Sequence, residues 1–177
     1  MQMMNLKVFI ALACICAVVA QRNNFNRRQN QIQNQGRVAI DHRDGGSEYH
    51  YSWRHDGGKW EWNQANAYCR RLGQGWQLIS INNGREFGLV DSALRGESQP
   101  YIWTSGQGRN GRFGYGDGSA VTFGWSHTGG NNRPQPDNRE GNEFCVATLN
   151  NFYRDGTKLH DVACHHLKPA ICERKAG

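Results

Sequence analysis

Four cysteines, Cys69, Cys145, Cys164 and Cys172, constrain this 177-residue chain more than any other feature. Two more, Cys14 and Cys16, sit inside VFIALACICAVVA, an unbroken apolar run from Val8 to Ala20. That run follows a short basic start, MQMMNLK, and ends on the small residues Val18 and Ala20. This is how a secretory signal peptide and its cleavage site are built. The run is too short to cross a bilayer comfortably, and no later stretch approaches the length of a membrane span. Residues 1–20 are therefore expected to be removed and the mature protein to be secreted. An even number of cysteines in an oxidising compartment argues for two disulfides, with three connectivities open.

The net charge of +6 could suggest a nucleic-acid ligand, but that fits an exported protein poorly. Much of the excess comes from Arg22, Arg27 and Arg28 rather than from a patterned face. These arginines lie in QRNNFNRRQNQIQNQG, which has only Phe25 and Ile32 to bury. So little apolar surface cannot offset the entropy of ordering the segment. Residues 21–48 are read as a disordered Gln/Asn-rich extension, residues 49–174 as one domain, and residues 175–177 as a short tail.

Within the domain, YHYSWR (Tyr49 to Arg54) alternates as a half-buried strand does. WNQANAYCRRL places Trp62, Ala65, Cys69 and Leu72 on one helical face, with Gly73 as the stop. WQLISI (Trp76 to Ile81) reads as a strand. Asn82 or Asn83 can cap a second helix through REFGLVDSAL, with Phe87, Val90 and Leu94 inward. YIWTSG (Tyr101 to Gly106) and EFCVATLN (Glu143 to Asn150) read as further strands. LHDVAC and KPAICE read as a closing pair of short strands. Between Gly106 and Asn132 the chain is Gly-rich and unpatterned, which in a compact domain marks a functional loop.

A cysteine on the first helix, YIW before a long irregular loop, and then FCV, DVAC and ICE in order resemble the C-type lectin domain family. The likeness runs from about Tyr49 to Glu173. It implies an α+β fold with two helices, two small antiparallel sheets and a long loop region that holds the ligand site. It also implies that Cys69 pairs with Cys172 and Cys145 with Cys164. Beyond the expected signal peptide no cysteine pair precedes Cys69, as in the short form of the domain, and the whole resembles single-domain secreted lectins of arthropods.

The resemblance turns RPQPDNREGNEFC, residues 133–145, into a candidate calcium site. Calcium takes six to eight oxygen ligands, often from carboxylates and amides. In the family, Gln135, Asp137, Glu143 and Asp161 would ligate the ion and bind the sugar hydroxyls together. A cis bond at Gln135–Pro136, with Arg133–Pro134 as the alternative, would turn the Gln135 and Asp137 side chains the same way. The Gln-Pro-Asp order goes with galactose or N-acetylgalactosamine. His160 stands where the family has asparagine, so it is carried in the ligand set as a nitrogen donor that weakens calcium binding. No tryptophan follows Gln-Pro-Asp to stack on the sugar, and Tyr153 or Phe152 would have to substitute.

Other chemistries fit less well. His160, Cys164, His165 and His166 suggest zinc, but Cys164 is expected in a disulfide and adjacent histidines do not converge easily on one ion. With no free thiol, a Cys–His nucleophile fails, and no serine sits in a nucleophile-elbow sequence, so no enzyme activity is expected. Of the tryptophans Trp53, Trp60, Trp62, Trp103 and Trp125, only the last lies in the loop region, where it could serve a ligand. No Asn-x-Ser/Thr sequon is present. Two functions survive. One is a secreted calcium-dependent lectin for galactose-type sugars. The other is a calcium-independent module of extracellular matrix or cuticle that binds protein or polymer.

Overall fold

Alternating aromatic and polar residues put the second strand where expected, but its partner comes from a stretch with no such pattern. The computed structural model describes residues 38–177; the expected signal peptide and the Gln/Asn-rich stretch up to residue 37 lie outside the described residues. Strand β1 (His42–Asp44) pairs with β2 (Ser47–Tyr51), so ordered structure begins ahead of Tyr49. β1 is three polar residues at a sheet edge, and pairing rather than burial creates it. The turn between them, Gly45–Gly46, has positive φ at both positions (57° and 75°), the two-residue hairpin geometry that matches strand twist. A cross-strand ion pair, Arg43 Nε to Glu48 Oε1 at 2.9 Å, lies on the same hairpin. The 3₁₀ turn Ser52–Arg54 then ends β2 sooner than the alternation suggests.

Helix α1 (Trp62–Arg71) buries Trp62, Ala65, Tyr68 and Cys69, and two arginines in its last turn oppose the negative end of the helix dipole. Leu72, expected inward, is half-buried just past its end. Helix α2 (Gly84–Gly96) is capped by Asn83, whose side chain accepts hydrogen bonds from Arg85 N and Glu86 N at 3.0 Å each. Val90 and Leu94 are fully buried, and Phe87 packs half-buried beside them.

The first sheet has the order β1-β2-β8-β3, with β3 (Gln77–Leu78) and β8 (Ile171–Lys175). β3 is shorter than WQLISI implies because the chain passes from one sheet to the other there. Ile79 N donates to Ile171 O of the first sheet, and Ile79 O accepts from Ser105 N of the second. The second sheet has the order β5-β4-β6-β7, built from β4 (Tyr101–Arg109), β5 (Arg112–Gly114), β6 (Cys145–Asn150) and β7 (Thr157–Val162). LHDVAC and KPAICE are therefore both strand-forming, but they lie in different sheets and do not pair. The stretch read as wholly irregular after Gly106 carries the end of β4 and all of β5. Its signal was Asn110–Gly111, a second positive-φ hairpin turn (53° and 74°).

Between Trp103 and Gln107 the pairing of β4 with β6 shifts register. Thr104 Oγ1 donates to Val146 O there, and Gly106 passes so close to β6 that a Cβ would sit 2.7 Å from Val146 Cβ. Two tryptophan indoles are satisfied inside: Trp103 Nε1 donates to Trp60 O at 2.7 Å and Trp62 Nε1 to Thr104 O at 2.8 Å. Both expected disulfides are present, Cys69–Cys172 and Cys145–Cys164.

One core acid makes stability depend on pH. Glu173 on β8 is buried, accepts a hydrogen bond from Ser80 N at 2.9 Å, and has Gln77, Glu86 and Lys175 as its polar and charged neighbours. Burial, aided by the Glu86 charge, pushes its carboxyl up to about 7 from 4.5. The folded state thus prefers the neutral acid. Its contribution is fully present below the unfolded value of 4.5 and is lost as pH rises through about 7. The loss is on the order of 3 kcal/mol. Thermal midpoints from pH 4.5 to 8 should therefore fall less steeply for Glu173→Gln than for the native protein. Parallel profiles would assign the dependence to other groups.

Candidate functional site

The polar stretch 133–145 folds over the end of the second sheet, and the short disulfide holds it there. Glu143 lies two residues before Cys145, and Asp161 three before Cys164. β6 and β7 pair Val146 with Asp161, so the bridge and the ladder together set the two carboxylates side by side. The Gln135–Pro136 bond is cis, as expected. The loop then docks on Asp161, whose two carboxylate oxygens accept from Asp137 N at 3.1 Å and Asn138 N at 2.8 Å. Asn138, at φ 46°, turns the chain so that its own Oδ1 accepts from Glu143 N at 3.0 Å. Asn138 is a positioning residue that the sequence reading did not include in the site.

The result is a group of three acids, Asp137, Glu143 and Asp161, with ligand atoms within 4.8 Å of one another. Glu143 and Asp161 are buried. Asp137 Oδ2 and Glu143 Oε2 are buried with no hydrogen-bond partner in the protein. Burial, reinforced by the charge of Asp161, pushes Glu143 up to about 7. Burial raises Asp161 as well, while the Asn138 and Asp137 amides pull it back. Three clustered acids, two of them with an orphaned oxygen, are a group that could hold a hard cation. Gln135 borders the same cleft, with its backbone N donating to Ser126 O at 2.8 Å and its amide packed over Gly129.

His160 is placed differently from its four companions in the expected ligand set. It is buried at 3 % exposure and lies outside the group of three acids. Its Nε2 faces Asp155 Oδ2 at 3.8 Å, and its ring tilts against Tyr153 with centroids 5.2 Å apart. Burial lowers its pKa to about 4, so the ring is neutral at physiological pH. Asp155 also accepts a hydrogen bond from Ser126 Oγ.

These groups line a cleft of about 330 Å³. Beyond the acids it is walled by Tyr101, Phe152, Tyr153, Leu167 and Lys168. Phe152 and Tyr153 meet edge-to-face at 5.0 Å, so both aromatic candidates border the cleft. Trp125 does not. It packs edge-on against Phe113 at 5.4 Å, half-buried against the core. Adjacent histidines do come together here: His165 and His166 stack at 4.8 Å, and with Glu140 they form a second group within metal-ligand reach. Cys164 is withdrawn from any such group by its disulfide.

Fold, cysteine pairing and clustered acids now stand together, and residues 58–174 match the family model described as "Lectin C-type domain". The chain belongs to the C-type lectin domain family. This is a family of carbohydrate-binding domains. Among curated relatives, the chain is 29% identical over 129 residues to a "C-type lectin galactose-binding isoform" of Pseudechis porphyriacus, covering 64% of this chain and 70% of that one. It is 30% identical over 125 residues to L-selectin of Bos taurus, covering 70% of this chain but only 31% of the relative's length. Among solved structures, the C-type lectin CEL-I from Cucumaria echinata superposes with a TM-score of 0.60 at 19% identity, over 74% of this chain and 91% of that one. At that identity the superposition speaks for the fold alone.

Proposed function

We propose that this protein is a secreted lectin that binds terminal galactose or N-acetylgalactosamine in the presence of calcium, in a recognition role such as innate defence. The observation that carries the reading is the convergence of Asp137, Glu143 and Asp161 with two buried, unpartnered carboxylate oxygens. Those acids and the Gln135 amide would hold the ion. Bound calcium would supply coordination positions for two neighbouring sugar hydroxyls. The same side chains would accept and donate hydrogen bonds to those hydroxyls, and the Gln-Pro-Asp order favours the galactose arrangement. The galactose-binding name of one relative points the same way. Tyr153 and Phe152 offer the aromatic surface for the sugar's apolar face. His160 supports Tyr153 rather than the ion.

Passage over immobilised galactose tests the reading. The protein should be retained in calcium and released by a chelator. Flow-through in both conditions, on galactose and on mannose alike, would instead favour the calcium-independent matrix or cuticle module.

A further inference from the structure

In the same cleft as the acids, the Lys168 ammonium forms no close ion pair among the described residues. The residue is only 7% exposed. Its Nζ lies 4.5 Å from the Tyr101 ring centroid and 5.1 Å from that of Trp103, so two aromatic faces cradle the ammonium. Glu140 is the acid whose charge acts on it, but Glu140 is engaged by His166 at 3.0 Å. A second ammonium, Lys59, also approaches Tyr101, with Nζ 3.4 Å from the hydroxyl and 5.4 Å from the centroid. Burial, together with the Lys59 charge, pulls Lys168 down to about 8. A desolvated ammonium beside a like charge is costly in the free protein, and an incoming anion would remove that cost.

The rim adds a second observation. Phe152 at 58% and Leu167 at 56% are the large apolar side chains exposed among the described residues, and both border this same cleft. The cleft thus combines a cluster of acids, an apolar rim and a largely buried ammonium.

We propose that the cleft takes a galactose-type glycan bearing an anionic group, a carboxylate or a sulfate, which Lys168 and its aromatic cradle receive. This rests on the lectin reading above and specifies its ligand. The interaction is a charge-assisted hydrogen bond in a partly dry setting, which raises affinity by about tenfold or more. Because the ammonium is shielded, added salt weakens the preference only gradually compared with a surface ion pair.

The test uses three multivalent conjugates in calcium, carrying galactose, sulfated galactose and galacturonate, with affinities measured by equilibrium titration. The charged conjugates should bind about tenfold or more tighter than the neutral one. A preference for only one charged conjugate identifies which anion the pocket fits. In Lys168→Met the charged-to-neutral ratio should fall to near one, and in Lys168→Arg it should persist. Near-ultraviolet circular dichroism checks that both variants keep the native packing. If Lys168→Met is misfolded, the ratio in Lys168→Arg, compared with Lys59→Met, still reports on the site. Equal affinities for all three conjugates, or a ratio untouched by Lys168→Met, would overturn the proposal while leaving the lectin reading intact. Failure of the neutral conjugate with Lys168-dependent binding of a charged one would overturn the galactose reading instead. Failure of all three would overturn both.

Discussion

Glu143→Gln should lower calcium affinity by about 100-fold or more, since breaking a buried charge interaction costs about 3–5 kcal/mol. Galactose binding should be lost with it. The substitution keeps the shape of the side chain and removes only its charge. Glu143 is buried against Asp137 and Asp161, with one carboxylate oxygen lacking any partner in the protein. In the presence of a chelator the sign should reverse. Burial, and after it the charges of Asp161 and Asp137, then disfavour the ionised Glu143 carboxylate. An amide at this position relieves the repulsion and can donate to a neighbouring carboxylate, so the chelated variant should be at least as stable as the native protein. Calcium titration by calorimetry and thermal melting in chelator measure the two arms. Unchanged calcium affinity would remove Glu143 from the site, and a large loss of stability in chelator would show a structural role instead.

The second large effect is on stability. Replacing Cys69 and Cys172 together by alanine should cost about 4–5 kcal/mol, because this bridge spans 103 residues and strongly restricts the unfolded chain. For a domain of this size, that is a fall in Tm of about 10–20 °C. Removing Cys145–Cys164, with a separation of 19, should cost less, about 3 kcal/mol. The ranking should invert for calcium. Glu143 and Asp161 flank the short bridge, so its loss lets the two carboxylates drift apart and weakens the ion site more than loss of the long bridge does. Denaturant titration in chelator and calcium titration of the same two variants separate these outcomes. Equal calcium affinities in both would mean that the β6–β7 ladder alone positions the acids.

Much of the candidate site could be read along the chain because its chemistry is local. Gln135, Asp137 and Glu143 occupy one loop, and each carboxylate on the sheet is tied to a nearby cysteine, so spacing carries the geometry. The same holds for the helices, where Asn83 and the buried positions of α1 and α2 follow a 3.6-residue period. The strands were harder. β1 and β5 are three-residue edge strands with little apolar content, and they exist because positive-φ turns fold them back on a partner. Their signals were the turns Gly45–Gly46 and Asn110–Gly111 rather than any alternation.

His160 and Lys168 mark the boundary of what sequence alone can decide. By position, His160 belonged with the ligands. In the tertiary structure it borders the cleft with its ring on Tyr153 and its Nε2 toward Asp155, partners from a loop whose path no local pattern specifies. Lys168 had no signal at all in KPAICE. Its desolvation comes from Tyr101 and Trp103, more than sixty residues earlier, which β4 brings alongside it. The sequence by itself therefore determined the residue types, the caps, the cysteine count and the spacing of the acids. The fold decided the strand partners, which side chains converge, and which charges are left without water, because burial depends on segments that meet only once the two sheets are packed.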